Sequence, residues 1–247
     1  MEPVFISILF YLYVFAICEL GRNFIPRYYS HRWLVLELFG TIALCTCTFE
    51  NSAVYHYYGV WAYFCALASV GWCKSVTKRG AFANPATLFE GYLVHKRVST
   101  NRFLLLLFVE LIGGLCGFRL ARFFWSMQLN DFHYNRFWNY NCTTDLNVSL
   151  SMGVFLEFIA SLLSEIVGLL AAKRYSGGFT RILNCLNSAA ITVAGRDLTG
   201  MYFNPILAFG SNFGCRGLDP LRFLLVYWIG PILGQITATQ AHKHINL

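Results

Sequence analysis

Two Asn-Pro dipeptides carry the most specific chemistry in this 247-residue chain, and they begin the triplets Asn84-Pro85-Ala86 and Asn204-Pro205-Ile206. An asparagine side chain caps the free N–H groups at the start of a helix, and proline suits the first helical position because no N–H donor is needed there. Each triplet therefore predicts a short helix, over residues 85 to about 96 and 205 to about 212, and neither is long enough to cross a bilayer.

Two such half-helices could form a selective pore if they entered a membrane from opposite faces and met at their N-termini. Each N-terminus carries a partial charge of roughly +0.5, so the pair would repel protons and other cations. The amide donors of Asn84 and Asn204 would face the oxygen of a passing water or small polyol. A pore selects what passes by its diameter, by the hydrogen-bond donors on its wall and by the helix dipoles that point into it. The predicted chemistry is therefore selective passage through a pore lined by these two side chains.

Catalysis is not predicted. The sequence has no metal-spaced cluster of His, Cys and Asp and no nucleophile placed beside a base. The His-x-His pair near its end, His242 and His244, is a poor metal site. We therefore predict that the protein is not an enzyme and that it has no cofactor and no bound metal.

The composition is that of a polytopic membrane protein. Hydrophobic residues make up 57% of the chain and charged residues 13%, about half of the ~25% found in soluble domains. The net charge is +7, but the basic residues flank apolar runs and do not form a stripe. The lipid bilayer is therefore the predicted partner, and nucleic acid is not.

Seven long apolar runs supply the predicted spans: Val4–Leu20, Trp33–Phe49, Tyr57–Cys73, Phe103–Trp125, Leu150–Ala172, Ile182–Ala194 and Leu221–Ala238. The first run is short for a span and is either a retained anchor or a cleaved signal peptide. The anchor is the preferred interpretation because Met1-Glu2 supplies no basic n-region and no clear cleavage site follows.

Charge and glycosylation signals agree on the orientation. If the linker after the first run is cytosolic, 13 of the 19 Lys and Arg residues fall on the cytosolic side, as the positive-inside rule requires. Residues 126–148 then form a luminal or extracellular loop. Asn141 and Asn147 each begin an N-glycosylation sequon, and both asparagines lie in this loop,. Because the loop is on the luminal or extracellular side, both are predicted glycosylation sites.

An internal repeat relates the two Asn-Pro motifs. Glu37 lies 47 residues before Asn84, and Glu157 lies 47 residues before Asn204. Residues 33–125 and 149–240 therefore form two repeats, each of three spans and one half-helix. An odd number of spans inverts the second repeat in the membrane, and inverted repeats share a site near the midplane. Residues 1–32 are then an anchor with a basic linker, and residues 241–247 are a cytosolic tail.

Over residues 33 to about 240, this pattern resembles the aquaporin (major intrinsic protein) family. The resemblance implies an all-α membrane protein with six transmembrane helices and two re-entrant half-helices, here with an extra N-terminal hydrophobic helix. It also implies a homotetramer that conducts water and small neutral solutes such as glycerol or hydrogen peroxide. Glu37 and Glu157 resemble the buried glutamates of the family that bind backbone groups of the half-helix loops, which is a structural role.

The second motif departs from the family pattern. It has Ile206 in place of Ala, and Leu207 stands where orthodox water channels have the arginine of the outer constriction. Family spacing places Thr192 and Met201 at two other filter positions, with Phe64 as a fourth on a looser alignment. A filter of these residues would be wider or more apolar, and it would exclude small neutral solutes and protons less well.

These departures resemble the superaquaporin branch, of the aquaporin-eleven and -twelve type. The shared features are the extra N-terminal run, Leu207, Cys215 eleven residues after Asn204, Thr199-Gly200, and Val226-Tyr227-Trp228. The branch implies an intracellular membrane such as the endoplasmic reticulum, with the plasma membrane as the alternative.

Two questions stay open at this point. The alternative function is a non-conducting or weakly conducting protein that maintains an organelle membrane on the same fold. Of the nine cysteines, Cys142 and Cys215 fall on the predicted oxidising side, where they are either bonded to each other or separate,.

Overall fold

The computed structural model describes residues 2–139 and 141–245, which fold predominantly into α-helices. Ten are labelled here: α1 Pro3–Phe24, α2 Arg32–Thr77, α3 Pro85–Leu93, α4 Thr100–Trp125, α5 Asp131–Trp138, α6 Leu150–Arg174, α7 Gly177–Thr199, α8 Pro205–Asn212, α9 Pro220–Leu224 and α10 Gly230–Ile245. A π-helical turn, Leu225–Ile229, joins the last two. This all-α architecture confirms the predicted fold class.

Five helical segments of the described residues are long and apolar enough to cross a membrane: α1, α2, α4, α6 and the segment Pro220–His244. The 23-residue α7 has the length of a span, but it is less apolar because it carries Asn184, Asn187 and Arg196. The chain is thus a multi-pass integral membrane protein.

The second and third apolar runs form one 46-residue element, α2, which breaks at Gly59 (φ 75°, ψ −167°). A straight helix of that length would measure about 69 Å, more than twice the hydrocarbon core. The rings of Tyr55 and Tyr63 lie 5.6 Å apart, although eight residues of straight helix would separate them by about 12 Å. The chain therefore turns back at Gly59, and α2 holds both predicted spans.

The last predicted run is not one regular helix. Proline has no N–H, and its ring clashes with the carbonyl four residues earlier. Pro231 therefore disturbs the helical ladder at Tyr227, inside the π-helical turn Leu225–Ile229. Widening to a π-turn is a common response to such a disturbance.

The described residues form two compact units. Unit 1 comprises residues 1–83 and 108–141, and unit 2 comprises residues 84–107 and 142–247. In unit 1, α1 contributes Phe10, Val14 and Cys18 to a buried cluster that also contains Cys47 and Trp125. The first apolar run is therefore an integral part of the core of unit 1.

Small residues allow close helix packing in both units. A Cβ added at Gly117 of α4 would lie 2.8 Å from the Cβ of Cys45 in α2. A Cβ added at Gly234 of α10 would lie 2.2 Å from the carbonyl oxygen of Phe158 in α6. In each unit, two long helices thus pack on each other at a glycine, as membrane helices commonly do.

Candidate pore-forming site

The two Asn-Pro motifs adopt the same local structure. Asn84 Oδ1 accepts the N–H of Ala86 at 3.0 Å, and Asn204 Oδ1 accepts the N–H of Ile206 at 3.1 Å. Both asparagines are extended, with φ/ψ of −160°/109° and −142°/108°. Each therefore acts as an N-cap, and Pro85 and Pro205 occupy the first turns of α3 and α8,.

Both half-helices lie in unit 2, where they contact each other. Asn204 is 5% exposed, and Ala86 and Ile206 are fully buried. Because Oδ1 of each asparagine is held by the backbone, the orientation of each carboxamide is fixed. The amide nitrogen is the only donor that each of these side chains has.

A buried glutamate supports the loop before each half-helix. In unit 1, the N–H groups of Phe82 and Ala83 donate to Glu37 Oε2 and Oε1, at 2.9 Å and 2.5 Å. In unit 2, the N–H groups of Tyr202 and Phe203 donate to Glu157 Oε1 and Oε2, at 3.1 Å and 2.6 Å. Both glutamates are at most 1% exposed.

These carboxylates hold strained backbone. Ala83 and Phe203, the residues directly before the capping asparagines, have positive φ of 47° and 33°. A residue with a Cβ rarely adopts this region, and such strain persists only where the surroundings over-determine it. The bonds from Glu37 and Glu157 supply that constraint, so the chain reverses sharply into each half-helix.

A second layer of contacts fixes Glu157. Thr199 Oγ1 donates to Glu157 Oε1 at 2.7 Å, and Tyr227 Oη donates to the carbonyl oxygen of Thr199 at 2.8 Å. In the sequence, Thr199 and Tyr227 are features of the superaquaporin branch, and no pattern there predicts a role for either residue. The structure shows that they join the last span to the loop before α8.

The C-terminal ends of the half-helices are also anchored within unit 2. Glu90, near the end of α3, accepts hydrogen bonds from Gln235 Nε2 and Thr239 Oγ1 of α10, both at 2.9 Å. Asn212, at the end of α8, accepts the N–H of Asp145 at 2.7 Å and donates to its Oδ2 at 3.1 Å. Nothing in the sequence pattern pointed to these partners.

Cys142 and Cys215 form a disulfide with a Cα–Cα distance of 4.8 Å. Backbone bonds reinforce it, because the Thr144 N–H donates to Arg216 O and the Arg216 N–H donates to Cys142 O, both at 3.0 Å. Of the two alternatives for these cysteines, the structure has the bonded one. The disulfide ties the chain after α8 to the loop that precedes α6.

The four predicted filter residues occupy different surroundings. In unit 2, Thr192 Oγ1 donates to Met201 O at 3.5 Å, and the Met201 side chain packs against Gly195 of α7. Leu207 is half-buried in the first turn of α8. Phe64 is half-buried in the second half of α2, in unit 1, so its part in a filter stays a prediction.

The two sequon asparagines are exposed. Asn147 Nδ2, the atom that would carry a glycan, donates to Asp197 O at 3.1 Å. Glycosylation at either position stays a prediction.

The described residues thus combine a multi-pass membrane protein with two half-helices that are each capped by an asparagine. The family model described as major intrinsic protein matches residues 57–242, three quarters of the chain. The chain therefore belongs to the major intrinsic protein family. That membership supports a channel function and not an enzymatic one.

Individual relatives support the predicted superaquaporin branch. The chain is 29% identical to Aquaporin-11 of Milnesium tardigradum over 246 residues, covering 98% of this chain and 88% of that protein. It is 26% identical to Aquaporin-11 of Mus musculus, covering 93% and 84%. It is 28% identical to Aquaporin-11 of Homo sapiens, covering 87% and 78%. The prediction of this branch is confirmed.

Proposed function

We propose that this protein is a channel for passive permeation of water, with glycerol and hydrogen peroxide as further permeants, and that its pore passes the N-terminal ends of α3 and α8. The observation that carries the proposal is the pair of asparagine caps, each followed by proline and preceded by strained backbone held on a buried glutamate. Non-helical backbone within a membrane protein is tolerated where it is enclosed by protein or lines a water-filled cavity. Two helix starts that are each held in place by a buried glutamate are therefore explained if both of them line an aqueous path.

The filter of this channel is proposed to consist of Phe64, Thr192, Met201 and Leu207. A leucine at the position after the second motif supplies neither a fixed positive charge nor a donor. The constriction would therefore select by width more than by charge. Small neutral solutes such as glycerol and hydrogen peroxide would pass more readily than through a filter that contains arginine.

The assembly and location belong to the same proposal. The protein would be a homotetramer in an intracellular membrane such as the endoplasmic reticulum, with glycans on Asn141 and Asn147. Mass photometry of the purified protein tests the tetramer. Endoglycosidase digestion of the protein from cells tests the glycans, and immunofluorescence against membrane markers tests the location.

The alternative function is a non-conducting or weakly conducting protein that maintains an organelle membrane. Leu207, half-buried in the first turn of α8, favours it because the residue cannot donate a hydrogen bond to a permeating water. Flux measurements separate the two functions, since the alternative predicts a solute flux equal to or little above that of the bare bilayer.

Asn84→Asp and Asn204→Asp test the pore directly. Aspartate is as good an N-cap as asparagine, so both half-helices should still form. The change replaces the amide donor by a carboxylate, which attracts cations and offers no donor. We expect lower water flux and measurable cation leak in proteoliposomes.

Asn130→Asp is the matched control, because Asn130 also caps a helix, α5, with its Oδ1 accepting the N–H of His133, three residues further on, at 2.8 Å. This variant should conduct like the wild type. Water flux and ion exclusion unchanged in both Asn84→Asp and Asn204→Asp would rule out a pore at these residues.

A further inference from the structure

Two loops of unit 2 carry the same short charge pattern. Lys96-Arg97-Val98-Ser99 lies between α3 and α4, and Lys173-Arg174-Tyr175-Ser176 lies between α6 and α7. In both, a lysine and an arginine stand three and two residues before a serine that directly precedes a helix. Basophilic serine/threonine kinases select their substrates by such a pattern, because acidic side chains in the kinase cleft pair with the two bases. The structure distinguishes the two serines.

The loop around Ser176 is open to solvent. Residues 172–179 are all exposed. Helix α6 ends at Arg174, and the next two residues, Tyr175 and Ser176, are extended, with φ/ψ of −126°/159° and −62°/154°. Within the part of the chain that the structure describes, the Ser176 side chain makes no capping hydrogen bond. Its hydroxyl is therefore available to a second protein.

The start of α7 opens easily. Gly177 and Gly178 are its first two residues, and glycine is among the poorest helix formers. A Cβ added at either glycine would have no neighbour within 4 Å among the described atoms, so both positions face open space. Opening costs two side-chain hydrogen bonds from the Thr180 hydroxyl, of 3.1 Å and 3.3 Å. Residues 173–178 can therefore extend into a kinase cleft without disturbing the core.

The loop around Ser99 is closed by comparison. Lys96 has a positive φ of 51°, so the chain bends sharply three residues before the serine. The Arg97 N–H donates to Gly91 O at 3.0 Å, and Val98 is only 6% exposed. A kinase would have to pull this segment away from α3 and expose a buried valine. Ser99 is therefore a matched comparison, with the same two bases but a different presentation.

We propose that Ser176 is the phosphorylation site of a basophilic serine/threonine kinase. The Ser176 hydroxyl oxygen attacks the γ-phosphorus of ATP, the bond from that phosphorus to the β–γ bridging oxygen breaks, and ADP leaves. The hydroxyl proton passes to the catalytic aspartate of the kinase. The predicted orientation puts this loop, with Lys173, Arg174 and Arg181, on the cytosolic side,, where such kinases act.

The phosphate would fix the loop that the kinase has to open. It brings about two negative charges and three acceptor oxygens to the start of α7, where the free N–H groups and the partial positive charge favour an anion. Lys173 and Arg181 add positive charge before and after Ser176. Phosphorylation should therefore slow amide hydrogen exchange over residues 175–180 by about twofold to fivefold.

The test is phosphorylation of the full-length protein in nanodiscs by the catalytic subunit of cyclic-AMP-dependent protein kinase with MgATP. Mass spectrometry follows the phosphate on each serine over time. Ser176 should approach one phosphate per chain. Ser99 should react about tenfold more slowly, because exposing Val98 has a free-energy cost of that order. Ser176→Ala should remove the fast phase.

Arg174→Gln separates recognition of the charge pattern from exposure. The residue is exposed at the end of α6, and glutamine is as good a helix former as arginine, so the loop should keep its structure. Losing one charged contact in the kinase cleft should lower kcat/KM at Ser176 by about tenfold or more. Arg97→Gln is the matched control in the other loop and should leave phosphorylation of Ser176 unchanged.

Three results would overturn the proposal. The first is equal rates at Ser176 and Ser99, and the second is phosphorylation of Ser176 that Arg174→Gln leaves unchanged. The third comes from cells that express the protein, where activation of the kinase should raise the Ser176 phosphopeptide. Recovery of the unmodified peptide alone would exclude Ser176 as a cellular site. Unchanged hydrogen exchange over residues 175–180 in the phosphorylated protein would contradict the effect on the loop.

Discussion

Glu157→Gln should destabilise the protein and lower its conductance together. The carboxylate of Glu157 accepts three hydrogen bonds, from Thr199 Oγ1 and from the N–H groups of Tyr202 and Phe203. A glutamine retains the acceptor oxygen for the first two and places an amide N–H₂ group against the N–H of Phe203. Two donors then face each other next to the strained residue before α8.

The magnitude follows from these contacts. One hydrogen bond to a charged group, about 1.5–3 kcal/mol, is lost, and a buried N–H is left unsatisfied at a cost of about 1–3 kcal/mol. The two terms overlap, so we expect a loss of about 3 kcal/mol in the free energy of unfolding. For a chain of this size that is a fall of roughly 6–12 °C in unfolding temperature.

The assay is thermal unfolding of the detergent-solubilised protein, followed by water flux in proteoliposomes. Glu165→Gln is the matched control on the same helix, because Glu165 accepts one bond, from Gln235 Nε2 at 2.5 Å, and a glutamine oxygen can retain it. We expect a change below about 1 kcal/mol there. Equal unfolding temperatures for the two variants would refute the idea that Glu157 holds the α8 loop in place.

Three further changes probe other contacts. Tyr227→Phe removes the bond to Thr199 O and should cost about 1 kcal/mol, seen as a fall of roughly 2–4 °C in unfolding temperature; no fall would leave Tyr227 without a role in the loop. Leu207→Arg should narrow the filter and lower glycerol flux relative to water flux, and an unchanged ratio would remove Leu207 from the filter. Cys215→Ser opens the bond to Cys142 and should cost about 2–5 kcal/mol; the variant should unfold at the temperature of the reduced wild type, and a wild type insensitive to reductant would contradict this.

The half-helix starts could be predicted because their signals are local. An N-cap and a first-turn proline act within three residues, so Asn84-Pro85 and Asn204-Pro205 specify two helix starts without tertiary information. The predicted end of α3, near residue 96, is about three residues late, because the helix stops at Leu93. Helix ends are less well defined by sequence, and Lys96 here adopts a positive φ of 51° that ends any continuation.

The supporting contacts could not be predicted because they join residues far apart in the chain. Glu90 meets Gln235 and Thr239 more than 140 residues away, and Glu50 meets His133 across 83 residues. Each of these residues, taken singly, is a polar side chain in or near an apolar run. Only the packing of the helices decides which donor each acid finds.

The most direct test of the channel is stopped-flow light scattering of proteoliposomes that contain the purified protein, under an osmotic gradient and then a glycerol gradient. A pore predicts rapid shrinkage with a low activation energy, followed by glycerol entry above that of empty liposomes. Flux equal to that of empty liposomes for water, glycerol and hydrogen peroxide, with correct insertion confirmed by protease protection, would contradict a conducting pore at Asn84 and Asn204.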